Sequence, residues 1–123
     1  MNNKKLGNSF EREFCEYLAN KGYWVHFIVP DARGAQPFDI IAVKAGEAYA
    51  YDCKTSVKPT ISIDRLEDNQ KCAFDKWMAC GNTVPRVAVK YKDDIYIVNY
   101  KLLKKEKTVD LKRRAVCLTK EGY

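Results

Sequence analysis

The sequence is that of a small basic chain, long enough for one hydrophobic core. Its 123 residues are 46% hydrophobic and 31% charged, which excludes an intrinsically disordered segment. The formal net charge of +6 favours an anionic partner, nucleic acid ahead of a membrane surface, although many basic proteins bind neither. No apolar run approaches the roughly 20 residues of a membrane span, so no membrane partner is predicted.

Hydrophobic periodicity and turn residues predict the elements in chain order. The first helix has a candidate N-cap at Asn8 or Ser9 and a stop at Gly22, whereas the second opens on Asp64 and Glu67 like a capping box. The predicted elements are a helix at 7–23, a strand at 24–29, a proline-bracketed loop at 30–37, strands at 38–44 and 48–55, a helix at 64–81, and strands at 86–92 and 94–100. The order is therefore αβββαββ.

This order predicts an α/β fold with a central mixed five-stranded sheet flanked by helices, in one domain over residues 1–123. Short connections at 45–47 and 92–94 imply antiparallel neighbours, and the second helix is the crossover that a parallel pair requires. From about residue 101 to 123 the chain forms a basic tail, with seven Lys or Arg among its first fourteen positions. The tail is either a solvated face or a patch that contacts phosphates.

The cysteines indicate a reducing environment. The chain has five of them, an odd number without a C-x-x-C pair, which predicts free thiols in a cytoplasmic protein. Zinc is disfavoured because His26 is the only histidine and no ligand cluster surrounds it.

Two acids and a lysine interrupt a pair of apolar strands. If Gly46 and Glu47 are the turn residues, opposed positions sum to 93, so Asp39 faces Lys54 and Asp52 lies two residues away on the same face. The three side chains then converge, although a one-residue bulge would change this register. A structural ion pair between Asp39 and Lys54 is the simpler alternative; a shared cation is the other.

Each predicted helix adds a polar residue close to its buried face. Glu11 falls at the edge of the first helix's apolar arc, and Gln70 falls in the middle of the second helix's buried stripe. Glu11 could turn inward as a third ligand or extend to solvent, and Gln70 could instead satisfy a buried backbone group. The arc residues are Phe10, Phe14, Tyr17 and Leu18, and the stripe residues are Leu66, Ala73, Phe74 and Trp77.

Oxygen ligands without His or Cys suit Mg²⁺, with Mn²⁺ as a substitute. Such an ion polarises a phosphate and lowers the pKa of a bound water. Lys54 could position the attacking water or neutralise charge in the transition state, and the basic surface would attract the polyanion.

The motifs resemble those of the PD-(D/E)xK nuclease superfamily. "PFD" at 37–39 stands for PD, with Phe38 inserted between the two residues, and "DCK" at 52–54 stands for (D/E)xK. The whole order over residues 5–100 is similar to the archaeal-type Holliday junction resolvases, and more loosely to other phage and VRR-type nucleases.

This resemblance implies a restriction-endonuclease-like fold and a Mg²⁺-dependent endonuclease of DNA recombination and repair. It implies a homodimer that cuts branched or duplex DNA and leaves 5′-phosphates. The implied catalytic residues are Glu11, Asp39, Asp52, Lys54 and Gln70, and the implied metal ligands are Glu11, Asp39, Asp52 and the Cys53 carbonyl.

Three basic residues, Lys5, Arg33 and Lys58, are candidate nucleic-acid contacts, with ordinary solvated side chains as the alternative. Two alternatives to a four-way-junction resolvase stay open. One is a nicking, flap or restriction-type nuclease of the same superfamily, and the other is a basic nucleic-acid-binding module without catalysis.

Overall fold

The computed structural model describes residues 3–29 and 36–121, with side chains over 9–29 and 36–119. The helices are α1 Asn3–Asn20, α2 Asp68–Ala79, α3 Tyr100–Glu106, α4 Leu111–Arg114 and α5 Leu118–Glu121. The strands are β1 Trp24–Phe27, β2 Ile40–Lys44, β3 Glu47–Ser56, β4 Thr60–Ser62, β5 Arg86–Tyr91, β6 Asp94–Asn99, β7 Thr108–Asp110 and β8 Val116–Cys117. A 3-10 turn, Ile63–Arg65, precedes α2.

The central sheet has six strands in the order β1-β2-β3-β5-β6-β8. Its neighbours are antiparallel except β3 and β5, which run parallel and are connected through α2. The predicted mixed sheet, flanking helices and crossover are confirmed. The predicted count of five strands is one too low, and a separate two-stranded sheet joins β4 to β7. These extra strands have only two or three residues, too few for side-chain alternation to reveal them.

Apolar side chains pack on both faces of the sheet. On one face, Phe10, Phe14 and Leu18 of α1 cover Ile40 and Tyr51. On the other face, α2 and α3 build a second cluster around Phe74, whose ring lies 5.6 Å from that of Phe38 and 4.9 Å from that of Tyr100. The sheet thus lies between two helical layers, and residues that alternate along a strand face opposite layers.

Replacing Phe74 with alanine tests the second cluster. Its side chain is fully buried, so we expect the variant to lose about 3–5 kcal/mol of unfolding free energy in urea titrations. Trp24→Ala is the matched control, because that side chain is 62% exposed and its loss should cost below about 1 kcal/mol. Equal losses in the two variants would contradict the packing described.

The β2–β3 hairpin turns at Ala45 and Gly46, one residue earlier than the sequence predicted. Both have positive φ, 53° and 81°, as a type I′ turn requires, and Lys44 pairs with Glu47. Opposed positions therefore sum to 91 rather than 93. Because the slip is two residues, the predicted face of each side chain survives while its predicted cross-strand partner does not.

Both long helices begin elsewhere than predicted. Helix α1 starts at Asn3, upstream of the predicted cap. Helix α2 starts at Asp68, because Ser62 Oγ accepts a bond from Asp64 N and commits that segment to the 3-10 turn. The capping box is consequently formed by Glu67 and Gln70 rather than by Asp64 and Glu67.

The predicted basic tail is folded over most of its length. Residues 100–121 form α3, β7, α4, β8 and α5, and Leu103, Val109 and Leu111 are fully buried. Basic side chains occupy the exposed positions between these apolar anchors. Within the described ranges, no helix is both long and apolar enough to cross a membrane.

Candidate active site

The offset ends of β2 and β3 bring two aspartates together. β2 begins at Ile40, paired with Tyr51, whereas β3 continues to Ser56, so its later residues have no β2 partner. The Asp39 side chain fills this gap, and its Oδ2 accepts a 2.8 Å bond from Cys53 N. Asp39 is 4% exposed and Asp52 is fully buried. The register therefore aligns the two carboxyl groups across the end of the hairpin.

Gln70 connects Asp52 to Lys54 from the first turn of α2. Its Nε2 donates to Asp52 Oδ1 at 3.0 Å, and its Oε1 accepts from Lys54 Nζ at 3.4 Å. The same Oε1 accepts the Glu67 main-chain N–H at 2.9 Å, which completes the capping box. These bonds fix the orientation of the amide, because its nitrogen faces the acid and its oxygen faces the donors.

One carboxylate oxygen of Asp52 lacks a hydrogen bond. Lys54 Nζ lies 3.1 Å from Asp52 Oδ2, close enough for charge attraction, but its orientation completes no hydrogen bond. No other donor among the described residues reaches this buried oxygen. A buried carboxylate oxygen that is held by an ion pair but forms no hydrogen bond can accept an additional cation or donor.

Glu11 reaches the same cluster from α1, half-buried beside Asp39. Burial, then the charge and hydrogen bonding of Asp39, raise the Glu11 pKa to about 7, while Lys54 opposes the shift. Burial and the Asp39 charge likewise raise the pKa of Asp52 to about 8, again against Lys54. Three carboxyl groups are therefore too close to be ionised together when Lys54 is the nearby cation.

The donor set fits a hard divalent cation. Among the residues that the structure describes, no three acidic, thiol or imidazole groups are spaced as a preformed cage. The unsatisfied Asp52 oxygen and the raised carboxyl pKa values nevertheless indicate a cluster that a cation would stabilise. The Cys53 carbonyl lies on the same strand edge as its N–H, next to Asp39, where it could add a neutral oxygen donor. Burial raises the pKa of the Cys53 thiol well above its usual range, so the sulfur stays protonated.

Comparison with known proteins identifies the family. Residues 2–120 match the family model described as archaeal Holliday junction resolvase (Hjc). The chain belongs to the archaeal Holliday junction resolvase family. The predictions of an endonuclease and of a four-way-junction resolvase are thereby confirmed.

Two relatives illustrate this membership. The chain is 30% identical over 117 residues to the crossover junction endodeoxyribonuclease Hjc of Methanocaldococcus jannaschii, covering 93% of this chain and 83% of that protein. Its fold is similar to that of the Archaeoglobus fulgidus Holliday junction resolvase Hjc, with a TM-score of 0.70. That likeness covers 94% of this chain and 99% of the solved one at 17% identity, and it concerns the fold alone.

The five side chains predicted for the resolvase site do come together. Two contacts differ from the prediction. Lys54 forms an ion pair with Asp52 rather than with Asp39, and Asp39 instead accepts a hydrogen bond from the main-chain N–H of Cys53. Sequence reasoning missed the contribution of Glu67, whose main-chain N–H helps to hold Gln70. The Glu-x-x-Gln spacing immediately before the apolar stripe of α2 was the available signal.

The three predicted nucleic-acid contacts are only partly described. Lys58 is exposed in the bend after β3, where its main chain exchanges bonds with Ser56 Oγ. Arg33 and the side chain of Lys5 lie outside the described residues. Their roles in the resolvase remain predictions.

Substituting Gln70 with alanine tests its bridging position. We expect cleavage to fall roughly 10- to 100-fold, because Lys54 loses an acceptor and Asp52 loses its donor, and stability to fall by about 1 kcal/mol with the cap. The measurement is single-turnover cleavage beside urea unfolding. Asn69→Ala is the matched control, since the Asn69 amide faces Gln36 O at 2.9 Å instead of the site. Equal cleavage by both variants would contradict the bridge.

Proposed function

We propose that this resolvase hydrolyses phosphodiester bonds in four-way DNA junctions with Mg²⁺ bound by Glu11, Asp39, Asp52 and the Cys53 carbonyl. Mn²⁺ would substitute, because it favours similar oxygen ligands. The observation that best supports this proposal is the buried carboxyl cluster. One Asp52 oxygen in it forms no hydrogen bond, and the pKa values of Glu11 and Asp52 are raised. A structural ion pair explains less, since a single lysine leaves this cluster short of positive charge.

When bound, the ion would polarise the scissile phosphate and lower the pKa of a water. The chain's own groups have separate roles. Asp39 and Asp52 hold oxygen ligands at the end of the hairpin, and Glu11 closes the site from α1. Lys54, steered by Gln70, offers its ammonium to the water or to the charge that develops on phosphate.

We further propose a homodimer that acts in DNA recombination and repair. A four-way junction presents two symmetry-equivalent strands for cutting. Two copies of one active site, related by a two-fold axis, would each act on one of these strands. A cytoplasmic setting agrees with the cysteines, all five of which are free thiols in the structure.

The deciding experiment incubates the protein with a synthetic four-way junction with and without Mg²⁺. Flap and linear duplex substrates of identical sequence separate junction resolution from other nuclease activities. We expect paired, symmetric incisions in the junction, with 5′-phosphate ends, only when Mg²⁺ is present. Light scattering on the protein and on its junction complex gives the number of subunits. If no metal-dependent cleavage occurs, the chain is a nucleic-acid-binding module without catalysis. If flaps or linear duplex are cut in preference to the junction, the chain is one of the other nuclease types.

A further inference from the structure

A second cavity lies at the C-terminal end of α1, away from Glu11. Its volume is about 460 Å³, and it opens between the end of α1 and residues of β2, β3, β5, β6 and β8. Four of its lining residues are cationic, Lys21, Lys44, Arg86 and Arg114, and none is acidic. We name this the α1–β5 cavity. It shares no lining residue with the carboxyl cluster.

Three of these cations are available to bind an anion. Arg114 is committed to Glu106 at 2.8 Å. Among the described residues, Lys21, Lys44 and Arg86 have no carboxylate within ion-pair distance. Glu47, the register partner of Lys44 in the hairpin, accepts the Tyr49 hydroxyl and does not line the cavity. Unpaired cations around a concave surface favour binding of a negatively charged group.

Aromatic rings hold these cations in position. The Arg86 guanidinium lies 4.8 Å from the Tyr49 ring centre and donates to the Tyr51 hydroxyl at 3.1 Å. Lys44 Nζ lies 5.0 Å from the Tyr23 ring and donates to Lys21 O at 2.6 Å. Cations held in this way lose less conformational entropy when a ligand binds. A flexible surface patch would lack this advantage.

We propose that the α1–β5 cavity binds a backbone phosphate of the DNA strand on which the carboxyl cluster acts. This inference rests on the proposed function. Lys21 directly follows the last residue of α1 and is ten residues from Glu11, which corresponds to about 15 Å of helical rise. Because this separation is larger than the rise of a single nucleotide, the bound phosphate would lie a few nucleotides from the cleavage position. The cavity would fix the register of one junction arm, because phosphate contacts position a protein without reading sequence.

The test removes the charge of single DNA phosphates and compares the effect on binding by the wild-type protein and by cavity variants. The cleavage position is first mapped on wild-type protein in Mg²⁺, and junctions are then made with a single methylphosphonate at each successive phosphate on either side of it. Binding is measured in EDTA, where cleavage does not interfere. We expect the neutral linkage at one of these positions to weaken binding by wild-type protein roughly three- to tenfold. Lys21→Ala/Arg86→Ala is expected to bind the unmodified junction as weakly and to be insensitive to the methylphosphonate at that position.

Controls separate this contact from general charge loss. Lys76→Ala removes one exposed charge from α2 and should keep the wild-type sensitivity to the methylphosphonates. Arg86→Lys should keep most of it, since the charge is retained. If Arg86→Ala fails to fold, Lys21→Ala alone carries the comparison, because that side chain is exposed. The slope of log affinity against log salt is expected to fall by about one per lost contact.

Several results would overturn the proposal. One is equal sensitivity of wild-type protein and the cavity variants to the neutral phosphates, and another is no sensitivity in either. Binding of deoxyadenosine monophosphate in the cavity, without methylphosphonate sensitivity, would assign the site to a free nucleotide. A change of subunit number in the Lys21 or Arg86 variants would assign it to a second copy of the chain. Wild-type cleavage in Mg²⁺ is scored independently, so a failure here leaves the proposed function intact.

Discussion

Replacing Asp52 with asparagine is expected to abolish junction cleavage while leaving junction binding in place. The substitution keeps the oxygen that accepts from Gln70 but removes the charge of a fully buried ligand candidate. Lys54→Ala is expected to have a similar effect by removing the cation that neighbours Asp52. We expect cleavage rates to fall at least about 1,000-fold in each variant. Binding should survive because it depends on the basic surface.

Single-turnover cleavage in Mg²⁺, and binding in EDTA, measure the two effects separately. Asp93→Asn, in the exposed β5–β6 turn, controls for loss of an acid, and Lys76→Ala controls for loss of a lysine. Both controls should cleave at the wild-type rate. Full cleavage by either Asp52→Asn or Lys54→Ala would remove the proposed mechanism, because no step in it proceeds without both groups.

The second large effect is a loss of stability with rising pH in the metal-free protein. Burial and the Asp39 charge raise the pKa of Asp52 to about 8, against about 3.9 in an unfolded chain. The folded state therefore binds this proton more tightly than the unfolded state. The resulting stability is complete below about pH 4, declines as the pH rises and is lost above about pH 8. Glu11, with a pKa of about 7, acts in the same direction, weakened by its partial solvent exposure.

Thermal unfolding in EDTA between pH 5.5 and 8.5 measures this linkage. We expect the wild-type Tm to fall by at least about 5 °C over that range, and Asp52→Asn to show a smaller fall and a higher Tm at pH 8.5. Addition of Mg²⁺ at pH 8.5 should raise the wild-type Tm and leave Asp52→Asn nearly unchanged. A wild-type Tm that is flat or rises across the window would contradict the raised pKa of Asp52.

The residues that form the site could be predicted from the sequence, but the contacts between them could not. Asp39, Asp52 and Lys54 share a face for any even register shift, so the two-residue error in the hairpin left the prediction of convergence intact. The cross-strand partners changed because a turn that lies one residue earlier shifts the partner of every residue by two positions. Whether Asp39 would face Lys54 or Asp52 depended on φ values at Ala45 and Gly46 that the sequence leaves ambiguous.

The fold was predictable where segments were long and periodic. The two main helices, the five longer strands and the parallel crossover all follow from apolar spacing. The start of α2 was missed because Asp64 and Glu67 fit a cap equally well, and the Ser62 hydroxyl gave Asp64 N a local bond that competed with the helix. The strands β4, β7 and β8 are stabilised by tertiary pairing, so their own residues carry little signal.

Gln70 serves both the capping box of α2 and the bonds to Asp52 and Lys54. Any transient unwinding of the first turn of α2 therefore releases the acid and the lysine at the same moment. With rising temperature, amide hydrogen exchange at the start of α2 would then increase while the fraction of molecules competent to cut decreases. In this protein, the fraying of a single helix end sets an upper limit on how much of the time the enzyme is assembled.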